Sequence, residues 1–337
     1  MKHTLESIAK LAGVSRGTVS RVVNGQPGVK EASRQAVLRI IEETGYYPNA
    51  QARSLAGGRT ENIGVVVFGL HPNVLSHHIF YEVLQGIQTY SAANDYDMLL
   101  FANRSVTDQD YWKRIGERRK VDGLIIMGEQ IRKEYLQYFR KLGIPFVLVG
   151  KRIYDGLPLQ CVTSDYRSGA YQAARHLIAR GRRKLAYVQG LLDTYHENER
   201  YTGFALALEE AGIALDRERL IAGEAMEEQA YARMNAQLRS GVQVDGVFAG
   251  NDLMAIGAIK ALRDNDLRVP EDVSVVGYDD IQAAAYHSPP ITTVRQDKQR
   301  LGMEALDLLL AIIRGDCDQH EPKDVMISSE LIIREST

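Results

Sequence analysis

Near the N-terminus, apolar side chains recur every third or fourth residue. Leu5, Ile8, Ala9 and Ala12 fall on one helix face, with Thr4 placed as a cap and Gly13 as a stop. Val19, Val22 and Val23 repeat the spacing in a second segment, residues 16–24, which follows the capping residue Ser15 and ends before Gly25. Ala36, Val37, Ile40 and Ile41 mark a third helix over residues 31–44, terminated by Gly45. Two short helices joined through Ala12-Gly13-Val14-Ser15 have the build of a helix-turn-helix. The outer face of the second carries Arg16, Gly17, Ser20 and Arg21, with Thr18 at its edge. The same spacing also fits a small helical bundle with no nucleic-acid role.

Residues 46–62 read as a linker. Pro48 stops the third helix, and Asn49 stands as a cap for a short segment, residues 50–56, that Gly57-Gly58 closes. A helix of this length is marginal in water and needs a partner to order it. From Ile63 onward the period changes. Apolar runs at 63–70, 98–102, 123–127 and 145–149 alternate with helical patterns near 80–93, 109–118 and 134–142. A second series has strands at 185–188, 244–249 and 273–278, with helices near 168–179, 201–211, 230–238 and 254–263. A last helix near 301–313 and a strand over 325–333 complete the sheets. This is a βα alternation with buried parallel strands, run twice, and it predicts two α/β lobes.

Charge separates these parts. The chain of 337 residues holds 41 Lys and Arg against 43 Asp and Glu, yet residues 1–60 carry nine basic and four acidic side chains. A small basic head on an acidic body predicts an anionic partner for the head alone. No stretch approaches eighteen consecutive apolar residues and the first residues lack the core of a secretory signal, which predicts a cytoplasmic protein with no membrane partner. Two cysteines, Cys161 and Cys317, provide neither a disulfide framework nor a zinc knuckle. Neither a dinucleotide-binding fingerprint, nor a P-loop, nor a nucleophile elbow is present. The adjacent pair His77-His78 lacks the spacing of a zinc site on a helix and reads as loop or cleft lining. Tyr195-His196-Glu197 could hold an acid/base group, but no nucleophile accompanies it, so it reads as a polar loop lining a ligand cleft. The expectation is a protein that is not an enzyme and takes no cofactor or metal.

The run Ser7-Ile8-Ala9-Lys10-Leu11-Ala12-Gly13-Val14-Ser15-Arg16-Gly17-Thr18-Val19-Ser20-Arg21-Val22-Val23-Asn24-Gly25 resembles the headpiece of the lactose/galactose repressor family. So does the run from Gly45-Tyr46-Tyr47-Pro48-Asn49 to Leu55. The body adds Val121-Asp122-Gly123-Leu124-Ile125-Ile126, Glu199-Arg200-Tyr201-Thr202-Gly203-Phe204 and Gly250-Asn251-Asp252-Leu253-Met254-Ala255. Val273 to Asp280 and Pro290-Ile291-Thr292-Thr293-Val294 follow in the family's order, so the resemblance runs from end to end. It implies an all-α helix-turn-helix headpiece (residues 1–45), a hinge helix and linker (46–62) and a core like that of periplasmic sugar-binding proteins (63–337). The core would divide into an N-lobe, 63–161 and 295–322, and a C-lobe, 162–294 and 323–337.

The resemblance also implies partners: double-stranded operator DNA, a sugar-like effector, and a second copy of the chain in a homodimer or a tetramer of dimers. Arg16 and Gly17 fall where family members vary to set operator preference, and Arg21 matches the base-reading arginine. A guanidinium that bonds both O6 and N7 of guanine supplies about 1–3 kcal/mol of discrimination. Ser15, Thr18, Ser20 and Asn24 suit phosphate contacts, which position without specifying. The segment from Asn49 resembles the family's hinge helix, with Ala52 small where two such helices meet and Leu55 matching the leucine that wedges into the minor groove.

In the core, Arg200, Asn251 and Asp279 match effector-contacting positions, with donors and acceptors suited to sugar hydroxyls. Each has a plainer reading: Arg200 as a surface ion pair with Glu197, Asn251 as a helix cap, Asp279 as a turn residue. Ser76, His77 and His196 are expected to shape the pocket. Ala225 stands where several members stack an aromatic ring, and Ser76 and His77 replace aromatics of the purine-responsive members, which disfavours a flat purine. Lys151 or Arg152 could admit an acidic or phosphorylated sugar. The expected function is an allosteric repressor of carbohydrate-utilisation genes, its ligand an inducer or a co-repressor. The alternatives are a purine- or protein-responsive regulator and a cytosolic solute-binding protein on the same fold.

Overall fold

The computed structural model describes residues 3–23, 25–46, 59–68, 78–102, 111–117, 120–128 and 131–337. The chain forms two compact units, the smaller made of its first 61 residues with residues 120–122.

In the smaller unit, α1 (Leu5–Ala12), α2 (Arg16–Val23) and α3 (Glu31–Thr44) occur where the apolar spacing predicts them. Thr4 and Ser7 form a reciprocal capping box at the start of α1, and Gly13 ends it in a left-handed conformation. Ser15 caps α2, its Oγ accepting the Thr18 amide at 3.1 Å. α3 has no side-chain cap at Lys30. Ile8, Ala9, Val19, Val22 and Val37 form the shared core, each large one contributing about 1.5–3 kcal/mol by leaving water. The Asp122 carboxylate accepts the Thr60 amide at 2.6 Å, the Thr60 hydroxyl at 2.8 Å and the Glu61 amide at 3.0 Å.

The larger unit contains two six-stranded sheets. The first is built from β1 (Asn62–Phe68), β2 (Asp97–Ala102), β3 (Gly123–Gly128), β4 (Phe146–Val149), β5 (Gln160–Ser164) and β11 (Lys323–Ile327). Its order is β11-β5-β4-β3-β1-β2, with every pairing parallel. The second comprises β6 (Leu185–Gln189), β7 (Leu220–Ala222), β8 (Gly246–Ala249), β9 (Ser274–Asp279), β10 (Thr292–Gln296) and β12 (Ser329–Ile332). Its order is β12-β10-β9-β8-β6-β7, and only β12 runs antiparallel to its neighbour. Helices α4 (His78–Ala93), α5 (Tyr111–Glu117), α6 (Lys133–Lys141) and α12 (Lys298–Arg314) belong to the first lobe. Helices α7 (Tyr166–Ala179), α8 (Tyr195–Glu210), α9 (Glu227–Arg239), α10 (Asp252–Arg263) and α11 (Gln282–Tyr286) belong to the second.

Sheet pairing corrects the expected lobe limits. β5 pairs with β4, so residues 162–164 stay in the first lobe, and β11 pairs with β5, which takes residues 323–327 there too. β10 pairs with β9, so Arg295 and Gln296 end the second lobe's sheet. The single strand expected over 325–333 is two strands in different sheets, separated at Ser328. The chain therefore crosses between lobes after Ser164, after Gln296 and at Ser328. Two crossings are marked by an aspartate that caps the next helix. Asp165 accepts the Ser168 amide and Asp297 the Arg300 amide, both at 3.0 Å.

Candidate functional site

On the headpiece, burial of Val19 and Val22 turns the opposite face of α2 outward. Ser15, Arg16, Gly17 and Arg21 are exposed there, and Thr18 and Ser20 are half-buried. The Ser15 hydroxyl is also 2.9 Å from that of Thr18. Asn24, Asn49, Ala52 and Leu55 lie outside the described residues.

The core site starts from α8. Tyr195-His196-Glu197 is not a loop but the first turn of this helix, capped by Thr194, whose Oγ1 accepts the Glu197 amide at 3.4 Å. One turn later, Arg200 points inward and is 6% exposed. Its guanidinium lies 3.6 Å from Glu197 and 3.9 Å from Asp279, at the end of β9. Its Cζ is 4.4 Å from the ring centre of Tyr278 and 5.1 Å from that of Tyr166. The plainer reading of Arg200 as an ion pair with Glu197 is thus half right: the pair exists, but it is buried. Burial opposes the charge on Arg200, and the carboxylates of Asp279 and Glu197 outweigh it, so its pKa is raised and the guanidinium stays charged.

Glu197 is 1% exposed and accepts a hydrogen bond from the Tyr187 hydroxyl on Oε1. Its Oε2 and the Arg200 Nε have no hydrogen-bond partner. The carboxylate fits because Gly190 and Gly250 follow β6 and β8: a Cβ would stand 2.8 Å from Oε2 at Gly190 and 3.2 Å at Gly250. Burial drives the Tyr187 phenol far above its usual pKa, reinforced by Glu197, so it remains a donor.

Asp279 has φ of 105° and Asp280 of 51°, left-handed conformations unusual outside glycine. Asp279 Oδ1 accepts Gln296 Nε2 at 2.5 Å. Asp280 is held by Arg295 at 2.7 Å and Arg334 at 2.6 Å. Asn251 does cap α10, accepting the Met254 amide at 2.7 Å, while its Nδ2 donates to the Ala225 carbonyl at 3.2 Å. Beside it, Asp252 is fully buried, bonded by the Thr293 hydroxyl at 2.5 Å and the Ile281 amide at 2.8 Å. Burial pushes the Asp252 carboxyl well up, and Asp279 adds to this.

His196 is partly buried, its ring centre 5.8 Å from that of Tyr166. Burial lowers its pKa well below the usual value, aided by the charges of Arg200 and Arg152, so it stays neutral. Lys151 contacts both lobes: its Nζ is 2.5 Å from Asp324 and 5.4 Å from the Tyr195 ring centre. Arg152 donates to the Gly128 carbonyl at 2.7 Å. Ser76 and His77 lie outside the described residues. The structure therefore brings Arg200, Asp279 and His196 together near the ends of the second lobe's strands.

Sequence reasoning missed Tyr166, Tyr187, Tyr278, Gln296 and Ser164 as parts of this site. Gln296 was within reach, two residues beyond the stretch ending at Val294. Among the described residues, no group of His, Cys, Asp and Glu is arranged to hold a metal. None of the described helices is long and apolar enough to cross a membrane.

Comparison with known proteins agrees with this architecture. Residues 4–49 match bacterial regulatory proteins of the lacI family, and residues 174–337 match the periplasmic binding protein-like domain. The chain is 32% identical over 335 residues to the HTH-type transcriptional repressor PurR of Actinobacillus pleuropneumoniae serotype 3 (strain JL03), covering 99% of this chain and 98% of the relative. The solved complex of the transcriptional regulator CelR with cellobiose superposes with a TM-score of 0.75 at 33% identity, over 99% of this chain and 100% of that one. The lac repressor dimer bound to operator and the anti-inducer ONPF gives 0.83 at 26% identity, over 100% and 99%. The chain belongs to the lacI family of bacterial regulatory proteins and is a DNA-binding transcriptional regulator.

Proposed function

We propose that this regulator is a dimeric repressor whose α2 helices read two operator half-sites and whose core responds to a neutral, polyhydroxylated sugar. The observation that carries the effector reading is the buried Arg200, flanked by Glu197 and Asp279 and faced by two tyrosine rings. A charged fork fixed beside a carboxylate offers donors and an acceptor at known positions, which suits neighbouring hydroxyls. Asn251, with its Oδ1 committed to capping α10 and its amide held by Ala225, contributes as a rigid edge of the pocket. Ala225 leaves no ring at the place where a flat base would stack, which favours a sugar over the purine alternative. On the headpiece, Arg16 and Arg21 supply base reading, with Ser15, Thr18 and Ser20 at the phosphates. Asn24 is assigned to the phosphates as well, Asn49, Ala52 and Leu55 to the hinge, and Ser76 and His77 to the pocket, on the resemblance of the sequence alone.

The test is a thermal-shift screen of the full chain against cellobiose, other neutral sugars, sugar phosphates and purines, followed by DNA binding with each hit. A ligand that binds only the folded state raises its midpoint. A neutral sugar should shift the wild type and alter its DNA affinity, while Asp279→Ala should still bind DNA, more weakly than the wild type, and lose the response to the sugar. A hit confined to purines or sugar phosphates, or a full response in Asp279→Ala, would overturn the assignment.

A further inference from the structure

Gln296 occupies an unusual place. It is the last residue of β10, immediately before a lobe crossing, and only 4% exposed. Its Nε2 donates to Asp279 Oδ1 at 2.5 Å, and its Oε1 accepts the Ser164 hydroxyl at 2.6 Å. Ser164 is the last residue of β5, immediately before the other crossing that leads into a helix. The third crossing is tied to the same place, because the Asp165 amide donates to the Ile327 carbonyl at 2.8 Å. Ser164, Gln296 and Asp279 are all buried, so the two side-chain bonds face little competition from water. A cavity of about 430 Å³, lined in part by Gln296, Asp297, Lys298, Ile327, Ser328 and Glu330, runs beside these segments.

We propose that Gln296 is a positioning residue of the switch: its amide ties Asp279 to Ser164, joining two lobe crossings, and this lock sets the lobe arrangement on which operator binding depends. The inference rests on the reading that the core governs DNA binding. The reason is geometric. An amide has one donor end and one acceptor end, and here each is committed to a different lobe's strand. Any change in the hydrogen bonding of Asp279 alters the partner of Gln296 Nε2 and is felt where the chain crosses between lobes. Without the lock the lobes sample more arrangements, and the fraction competent for operator falls, weakening apparent affinity in proportion.

The experiment needs no effector. DNA selected from a random pool by the full-length wild-type protein serves as operator, with unselected DNA as the reference. Operator and reference affinities are measured for the wild type, Gln296→Ala, Ser164→Ala and the double variant. Gln296→Ala and Ser164→Ala should each weaken operator binding about fivefold or more, within the range of coupling between distant sites, with reference affinity unchanged. The double variant should be no weaker than Gln296→Ala, because both remove one lock. Unchanged or tighter operator binding, or losses that add, would overturn the proposal. Should Gln296→Ala unfold, Ser164→Ala decides the matter alone, since it deletes one hydroxyl and leaves the amide in place. The sugar reading fails separately, when no neutral sugar alters wild-type DNA binding.

Discussion

At the residue scale, the core site shows polar groups tuned by burial and by each other. Arg200 remains charged in a place that disfavours charge because Asp279 and Glu197 stand beside it. His196, near the same cation and Arg152, stays neutral. Its folded pKa lies well below the ordinary 6.5, so below that pH the unfolded chain takes up a proton that the folded chain refuses. Stability from this group is full above pH 6.5 and declines as the pH falls toward the depressed value. His196→Gln should therefore lose stability less steeply than wild type on acidification from neutral pH, as followed by urea midpoints. Parallel slopes would show that His196 titrates normally. Asp252 works in the opposite sense, since its raised pKa costs stability as the pH rises above the usual 3.8. Comparing variant with wild type cancels that contribution. On the headpiece, Arg21→Ala should reduce affinity for selected DNA far more than for random DNA, in a filter-binding comparison. Equal losses would assign Arg21 to a phosphate.

At the element scale, glycines set how closely helices approach. A Cβ at Gly203 in α8 would stand 2.1 Å from the Arg167 carbonyl oxygen of α7. One at Gly257 in α10 would stand 2.3 Å from that of Glu227, at the start of α9. One at Gly302 in α12 would stand 2.2 Å from that of Val83 in α4. Backbone cannot swing aside as a side chain does. Gly257→Ala should thus destabilise the core by about 1–3 kcal/mol, read from denaturant midpoints. An unchanged midpoint would mean that the pair separates freely.

Elements also show what was legible in the sequence. Helices with an apolar stripe, such as α1 and α12, were found at nearly their true limits. The first two turns of α8 were not, because their inward residues are Glu197 and Arg200, and hydrophobic periodicity says nothing about buried polar groups. β5 and β10 were missed for the same reason. They end in Ser164 and Gln296, and β10 begins with Thr292 and Thr293, both fully buried. The apolar run over 325–333 has no Gly or Pro to mark a break, and only sheet pairing separates its two strands at Ser328. The polar residues that blurred these elements are the ones that build the site and the crossings.

At the scale of the whole molecule, the chain separates its tasks. Its basic residues are in excess over the first 60 positions and its acidic ones over the remainder, as expected when only one part meets phosphate. Binding should weaken steeply with salt, since each phosphate neutralised releases counterions. The two-lobed core has polar groups gathered near the strand ends of its second sheet and three chain crossings between its lobes. A ligand moves such a balance only as far as it prefers one arrangement. The most direct test of the account is a titration of the full-length chain with DNA that it has selected from a random pool, against unselected DNA at the same salt. Selected DNA should bind at least about a thousandfold more tightly, as it does for specific regulators. Equal affinity for both would contradict it.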